Sequence, residues 1–371
     1  MPRGRHLRDT LNVISSSDLS PGGLTGRDGA ISAIRRTIGE ARVVTVTGLP
    51  GVGKTAAAIA AAGSTDSEFR DGVWLIKLDT LQDETLLPHT IAAAMLLPDT
   101  YGASPLEVLI DALGRKHVLL VLDTCEHLVG ACAAIGSALI ESCSGVQILA
   151  TSREPLRVPR EQTVTIGPLS ERHGVELLTQ RANVAGAEDP EVLASVCARL
   201  DGLPLAIGMG ARQLSLGSAD ALLAGLDNGY DFLSDPTAPV PRHRTLQAAI
   251  GWSHQLCTPA ERLLWARLSV FDMSFCIKDC QEVCATTHLT DEAIATGVRM
   301  LAERSLLLRE PGEPPRWAMP GTIRAYGAGM LRRLAEEEEM RRRYRRWRSG
   351  PRRDAFWHLP QRGVVGRLPL L

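Results

Sequence analysis

Gly48, Leu49, Pro50, Gly51, Val52, Gly53, Lys54 and Thr55 follow directly on the β-branched run Val43, Val44, Thr45, Val46 and Thr47. A buried strand feeding a glycine-rich turn that opens an alanine-rich helix is the setting in which G-x-x-x-x-G-K-[ST] has chemical meaning. The glycines at 48, 51 and 53 let the backbone fold so that consecutive N–H groups from about Pro50 onward face one anion. Gly51 and Gly53 keep side chains out of its way, and the helix N-terminus adds a favourable dipole. Lys54 is then expected to reach the β- and γ-phosphates, and the Thr55 hydroxyl to hold Mg²⁺. The ligand implied is a nucleoside diphosphate or triphosphate.

Two further strands end in polar groups of the matching kind. His117 to Asp123 is an apolar run closing on a carboxylate, the Walker B arrangement, which places Asp123 beside the phosphate loop to complete the Mg²⁺ shell. Val146 to Ala150 is followed by Thr151, Ser152 and Arg153. Arg153 is placed there to sense a γ-phosphate or stabilise charge in its transfer. The plainer alternatives are a surface aspartate after a core strand and a surface arginine paired with Glu154.

Composition excludes some classes. Lys and Arg total 41 against 42 Asp and Glu, so no global charge points to a polyanion. No apolar stretch approaches the ~18 residues of a membrane span, and Met1–Ser17 lacks the apolar centre of a secretory signal. The protein is expected to be cytoplasmic. Eight cysteines without a CxxC pair read as buried hydrophobes. Cys276, Cys280, Cys284 and His288 recur every four residues. On a helix they would span about 18 Å, too far for one tetrahedral zinc.

The expected fold class is α/β, a P-loop NTPase with a parallel sheet, followed by a small α-helical domain and a winged-helix domain. Strands are predicted at Val43–Thr47, Val73–Leu78, His117–Leu122, Val146–Ala150 and Thr163–Ile166, with helices starting near Thr55, Leu86, Pro105 and Leu128. The domain boundaries are a disordered leader at 1–22, the nucleotide-binding domain at 23–167, the helical domain at 168–235 and the winged helix at 236–334. A charged, disordered tail follows at 335–371. Ser170 caps one helix, another runs from Pro190 to Leu200, and proline-rich Asn228 to Arg244 is the expected linker. Thr258, Pro259, Ala260 and Glu261 form a capping box. Helices to Cys284 and from Asp291 to Arg304 precede a hairpin of Ser305–Arg309 and Arg316–Met319, which together suggest the winged helix.

These pieces in this order resemble a known family. Thr25 to Asp28, the loop at 48–55, Leu119–Leu128, Ile148–Leu156, Leu200–Ile207 and Arg242–Ser253 are similar to the STAND-class ATPases. Within that class they match the NB-ARC-like, AfsR/LuxR-type regulatory ATPases of actinobacteria, over about residues 23 to 335. The resemblance implies a switch that closes on ADP and opens on exchange for ATP, with a protein partner or effector domain outside this chain. It also implies that Arg27 lies near the base or ribose and that Pro204 packs on adenine. Pro204 taken alone reads equally well as a helix stop.

Departures from the pattern carry expectations too. Thr124 stands where relatives usually have Asn or Asp; a hydroxyl is a poor general base, so Glu126 or a positioned water would substitute and hydrolysis would be slow. Pro320 and Gly321 remove a polar side chain where the winged helix meets ADP. The basic end, without the flanking domains of a typical member, suggests truncation or a frameshift. Two other functions are consistent with the motifs: an ordinary ATP-hydrolysing, DNA-associated ATPase using the winged helix, or a nucleotide-binding remnant. Direct DNA binding has little support, because Arg and Lys in Thr258–Arg304 are scattered among acids.

Overall fold

Strands whose side chains are apolar on both faces are stable only when helices cover both sides, and that requirement organises the first part of this chain. The computed structural model describes residues 13–14, 24–97, 104–184, 188–238 and 240–350. The chain divides into two compact units, Met1–Gly48 with Gly53–Gly167, and Leu49–Val52 with Pro168–Leu371.

The first unit runs β1 (Val13–Ile14), α1 (Asp28–Glu40), β2 (Val43–Gly48), α2 (Lys54–Ser64), β3 (Val73–Lys77), α3 (Leu87–Ala94) and α4 (Pro105–Leu113). It continues with β4 (Val118–Asp123), α5 (Val129–Ser142), β5 (Val146–Thr151) and β6 (Glu161–Ile166). The sheet order is β1-β3-β4-β5-β2-β6, parallel from β3 to β6. β2 and β4 are buried along their whole length, as continuous apolar runs require. β6 is an edge strand, and its outward residues are accordingly polar. Ala57, Ala58, Ala61 and Ala62 are fully buried; their small side chains bring α2 close against the sheet.

One expectation changes at the N-terminus. Within the segment expected to lack order up to residue 22, Val13 pairs antiparallel with Trp74, and Ile14 with Val73. The outer edge of β3 offers unpaired backbone groups, and two β-branched residues satisfy them. The other residues of that segment lie outside those described.

The second unit contains α6 (Glu171–Ala182), α7 (Pro190–Arg199), α8 (Pro204–Leu214), α9 (Ala219–Asn228), α10 (Leu246–Gln255), α11 (Pro259–Leu268), α12 (Ile277–Cys284) and α13 (Asp291–Glu303). The hairpin β7 (Leu308–Glu310) and β8 (Arg316–Ala318), then α14 (Gly321–Arg333) and α15 (Glu337–Arg348), complete it. Ser170 and Thr258 cap their helices, the latter in a full capping box with Glu261. Phe275, between α11 and α12, exchanges two backbone hydrogen bonds of 2.8 Å with Trp317 of the hairpin, adding a third edge to it. The expected linker is tied down: Asp235 N–H donates to Arg244 O at 2.8 Å, and Leu233 is fully buried. The cysteine stripe does not continue to His288, because α12 ends at Cys284. Burial pushes the Cys284 thiol up to about 12.

The tail expected to be disordered from residue 335 instead forms α15. Met340, Tyr344 and Trp347 are 2, 7 and 7 % exposed, an i, i+4, i+7 stripe that the surrounding charge obscures in the sequence. Tyr344 and Trp347 meet Phe271 edge-on with centroids 5.1 and 5.3 Å away. Residues 351–371 lie outside those described.

Before α15, Glu336 accepts two hydrogen bonds from Arg267, at 2.8 and 3.0 Å, and the guanidinium also donates to Cys284 O. The Arg267 side chain is 5 % exposed and Glu336 32 %. Hydrogen bonding by Arg267 holds the Glu336 carboxyl below its usual range. A depressed carboxylate pKa stabilises the fold above the unfolded-state value, and that contribution is lost as pH falls through the folded-state value. Glu336→Gln is therefore expected to lower stability at neutral pH by about 2 kcal/mol, less than the full loss of a buried pair because Glu336 is partly solvated. Urea melts should show the gap from wild type closing as acid protonates Glu336.

Candidate functional site

Three strand ends supply the candidate chemistry of the first unit: Gly48 ends β2, Asp123 ends β4 and Thr151 ends β5. Gly48, Gly51 and Gly53 have φ of 148°, 74° and 93°, a region that favours glycine. Lys54 opens α2, and its Nζ donates to Gly48 O at 3.0 Å. Thr55 Oγ1 donates to Asp123 Oδ1 at 2.6 Å, and Thr151 Oγ1 donates to the same oxygen at 2.6 Å. The Thr151 hydroxyl accepts from the Thr124 N–H at 2.9 Å. Thr124 itself has φ of 70°, and its hydroxyl lies 3.5 Å from Asp123 Oδ2.

Asp123 is 8 % exposed, so its carboxylate is aimed by these hydroxyls rather than by water. Hydroxyl and carboxylate oxygens are hard donors, which suits Mg²⁺. The residues present fit that ion, with Thr55 and Asp123 the groups that would hold it. Thr151 was not among the predicted site residues. The signal was there in the hydroxyls ending the strand at Thr151 and Ser152, but its partner lies 28 positions away.

Glu126 and Arg153, predicted for separate roles as base and charge sensor, are brought together. Arg153 Nε donates to Glu126 Oε1 at 3.1 Å, with both side chains 8 % exposed. Burial of this kind makes the pair interdependent, since removing either member leaves a charge stranded. Arg27 is also buried and donates from Nη1 to Gly167 O at 2.8 Å; burial pushes its guanidinium below the ordinary value.

The loop apex, Leu49–Val52, belongs to the second unit. Val52 is fully buried and its N–H donates to Leu49 O at 3.3 Å. Gly51 O accepts from the Leu205 N–H at 3.1 Å. A Cβ at position 51 would stand 2.9 Å from Leu205 Cβ. Pro204 sits in the first turn of α8, so it starts a helix where a stop was the alternative. Its missing N–H is one that a helix start leaves unused anyway.

Asp201, within the Leu200–Ile207 motif, was missed altogether. Its carboxylate accepts from Gly321 N–H at 2.8 Å, Thr322 N–H at 2.7 Å and Thr322 Oγ1 at 2.7 Å. The two N–H groups are the first amide donors of α14. Burial raises the Asp201 pKa against the pull of those bonds. Gly321 is thus where a backbone group, not a side chain, is used.

No family model matches the chain. It is 33% identical over 307 residues to Rv0890c of Mycobacterium tuberculosis, a protein provisionally named an HTH-type transcriptional regulator; the match covers 80% of this chain and 35% of that one. The chain therefore spans about a third of the length of such regulators. It is 35% identical over 266 residues to the uncharacterized M. tuberculosis protein Rv0894, covering 70% of this chain and 68% of that one. Among solved structures, the Walker-type ATPase PABY2304 of Pyrococcus abyssi is similar with a TM-score of 0.57 at 12% identity, over 83% of this chain and 97% of that one. The Aeropyrum pernix ORC2 protein, solved in ADPNP–ADP complexes, has a TM-score of 0.51 at 13% identity, over 85% and 96% of the two chains. These likenesses establish the fold as that of P-loop ATPases. No described helix is long and apolar enough to cross a membrane.

Proposed function

This chain belongs to the family of the M. tuberculosis protein Rv0894, and from that premise we propose that it is a nucleotide-operated switch that binds ADP or ATP with Mg²⁺. The observation that carries this reading is the convergence of Thr55 and Thr151 on Asp123 Oδ1 beside a glycine-rich loop. Lys54 supplies charge for the phosphates, and the loop backbone supplies donors. Bound Mg²⁺ would neutralise phosphate charge, and Thr55 and Asp123 would orient it. Arg27 and Pro204 are assigned to the nucleoside end.

The finer reading is a STAND-class ATPase of the AfsR/LuxR type, with slow hydrolysis and a transcriptional output. Slow turnover is supported by two features: Thr124 offers no base, and Glu126 is engaged by Arg153. In this arrangement Glu126 Oε1 accepts from the Arg153 Nε–H, so that oxygen is free for a proton from water only once the pair separates. A regulatory output is supported by the provisional name of Rv0890c, acting through a protein partner or effector domain. The helices α11 to α13, with the hairpin and its Phe275 edge, are read as the winged helix.

Denaturing the purified chain and identifying the released nucleotide tests the switch. Retained ADP is the expected result. Protein that emerges empty and binds Mg·ATP only weakly would overturn it.

A further inference from the structure

The overall charge of this chain is −1, yet α15 concentrates six arginines against three glutamates. The acids occupy the first turn and the arginines all of the rest. Met340, Tyr344 and Trp347 turn inward, which leaves Arg341, Arg342, Arg345 and Arg346 exposed on the opposite side. Their i, i+1, i+4, i+5 spacing makes two parallel rows on one face.

Three features set this face apart from an ordinary solvated helix end. Arginines in a last turn favour the helix dipole, but Arg341 and Arg342 stand near its start, where the dipole gives nothing. The ion pairs on this face, Arg341 with Glu337 and Arg342 with Glu339, are exposed, so water and salt compete with them. Arg345 and Arg346 form no ion pair among the described residues. Finally, the cations are all arginine, whose planar fork matches phosphate oxygens two at a time.

We propose that the outward face of α15 docks the phosphate backbone of duplex nucleic acid. A stable protein interface usually has an apolar or aromatic anchor to bury, and an anionic membrane surface would hold this face only weakly, by about 1 kcal/mol per arginine, with no apolar residue to insert. The aromatic residues of α15 are committed to the interior, so the face offers charge without an apolar anchor, and cations outnumber the two paired acids. A polyanion is the partner that cations alone can hold, through release of its counterions. Such docking is independent of sequence and separate from the nucleotide site.

The experiment uses the full chain and a labelled 30-base-pair duplex of arbitrary sequence, with anisotropy followed across a salt series. Wild type should bind with affinity falling steeply as salt rises. Arg345→Glu with Arg346→Glu should abolish binding at moderate salt. Arg345→Ala with Arg346→Ala should reduce the log–log salt slope by about 2, at roughly 0.9 per lost phosphate contact. Circular dichroism melts and Mg·ADP binding of both variants should match wild type, so loss of fold and failure of the nucleotide reading are each distinguishable. Unchanged duplex binding by the glutamate variant would overturn the proposal. So would a wild type that ignores duplex but is captured by phosphatidylserine vesicles or an acidic peptide.

Discussion

Lys54→Ala is expected to weaken Mg·ADP binding about 100-fold, measured by calorimetry on nucleotide-stripped protein. The magnitude follows from losing charge-assisted contacts worth about 3 kcal/mol, where each 1.4 kcal/mol is tenfold. The ammonium has no core to support: it lies on the loop, donating to Gly48 O. The melting temperature of the stripped variant should therefore stay within about 1 °C of wild type, under the roughly 2–4 °C that a 1 kcal/mol loss produces in a unit of this size. Equal affinity in both proteins would remove the phosphate site from this loop, whatever the motif suggests. Thr55→Ala should act on a different axis. It takes away one of the two hydroxyls bound to Asp123 Oδ1, so its loss should be larger with Mg²⁺ present than with chelator.

The second large effect is on stability. Asp201→Ala should cost about 2–3 kcal/mol in urea denaturation, because it deletes three hydrogen bonds and leaves the N–H groups that start α14, that of buried Thr322 among them, without an acceptor. Little else can replace that carboxylate: Pro320, at the helix N-cap position, provides no side-chain hydrogen bond. The unfolding transition should move to lower urea with an unchanged slope, which separates lost stability from a looser native state. A shift smaller than a single exposed hydrogen bond would mean that water can reach α14 and that Asp201 anchors nothing.

Much of the fold was legible because its signals are local. β2 and β4 are uninterrupted apolar or β-branched runs, the loop carries glycines at the positive-φ positions, and Ser170 and Thr258 each accept the expected capping bond. Three kinds of information were not local. α8 and α9 start just behind residues that read as breakers, so Pro204 looked like an end when it is a beginning. α15 has only three apolar residues in twelve, too few to outweigh its charge until Phe271 is brought alongside. The site's second layer depends on partners far apart in the chain: Thr151 with Asp123, Arg153 with Glu126, and Asp201 with Thr322. Sequence names the chemistry of such residues; only folding decides which of them neutralise one another.

The bond from Leu205 to the Gly51 carbonyl has a bearing on how this protein can diverge. A methyl added at 51 would meet the Leu205 side chain at 2.9 Å, so position 51 cannot take a side chain while Leu205 keeps its place. Position 51 is free to accept bulk only after position 205 has given it up, and at φ of 74° such bulk would still be strained. Transplanting the loop into another protein without its distant leucine would carry over the letters of the motif and not its shape.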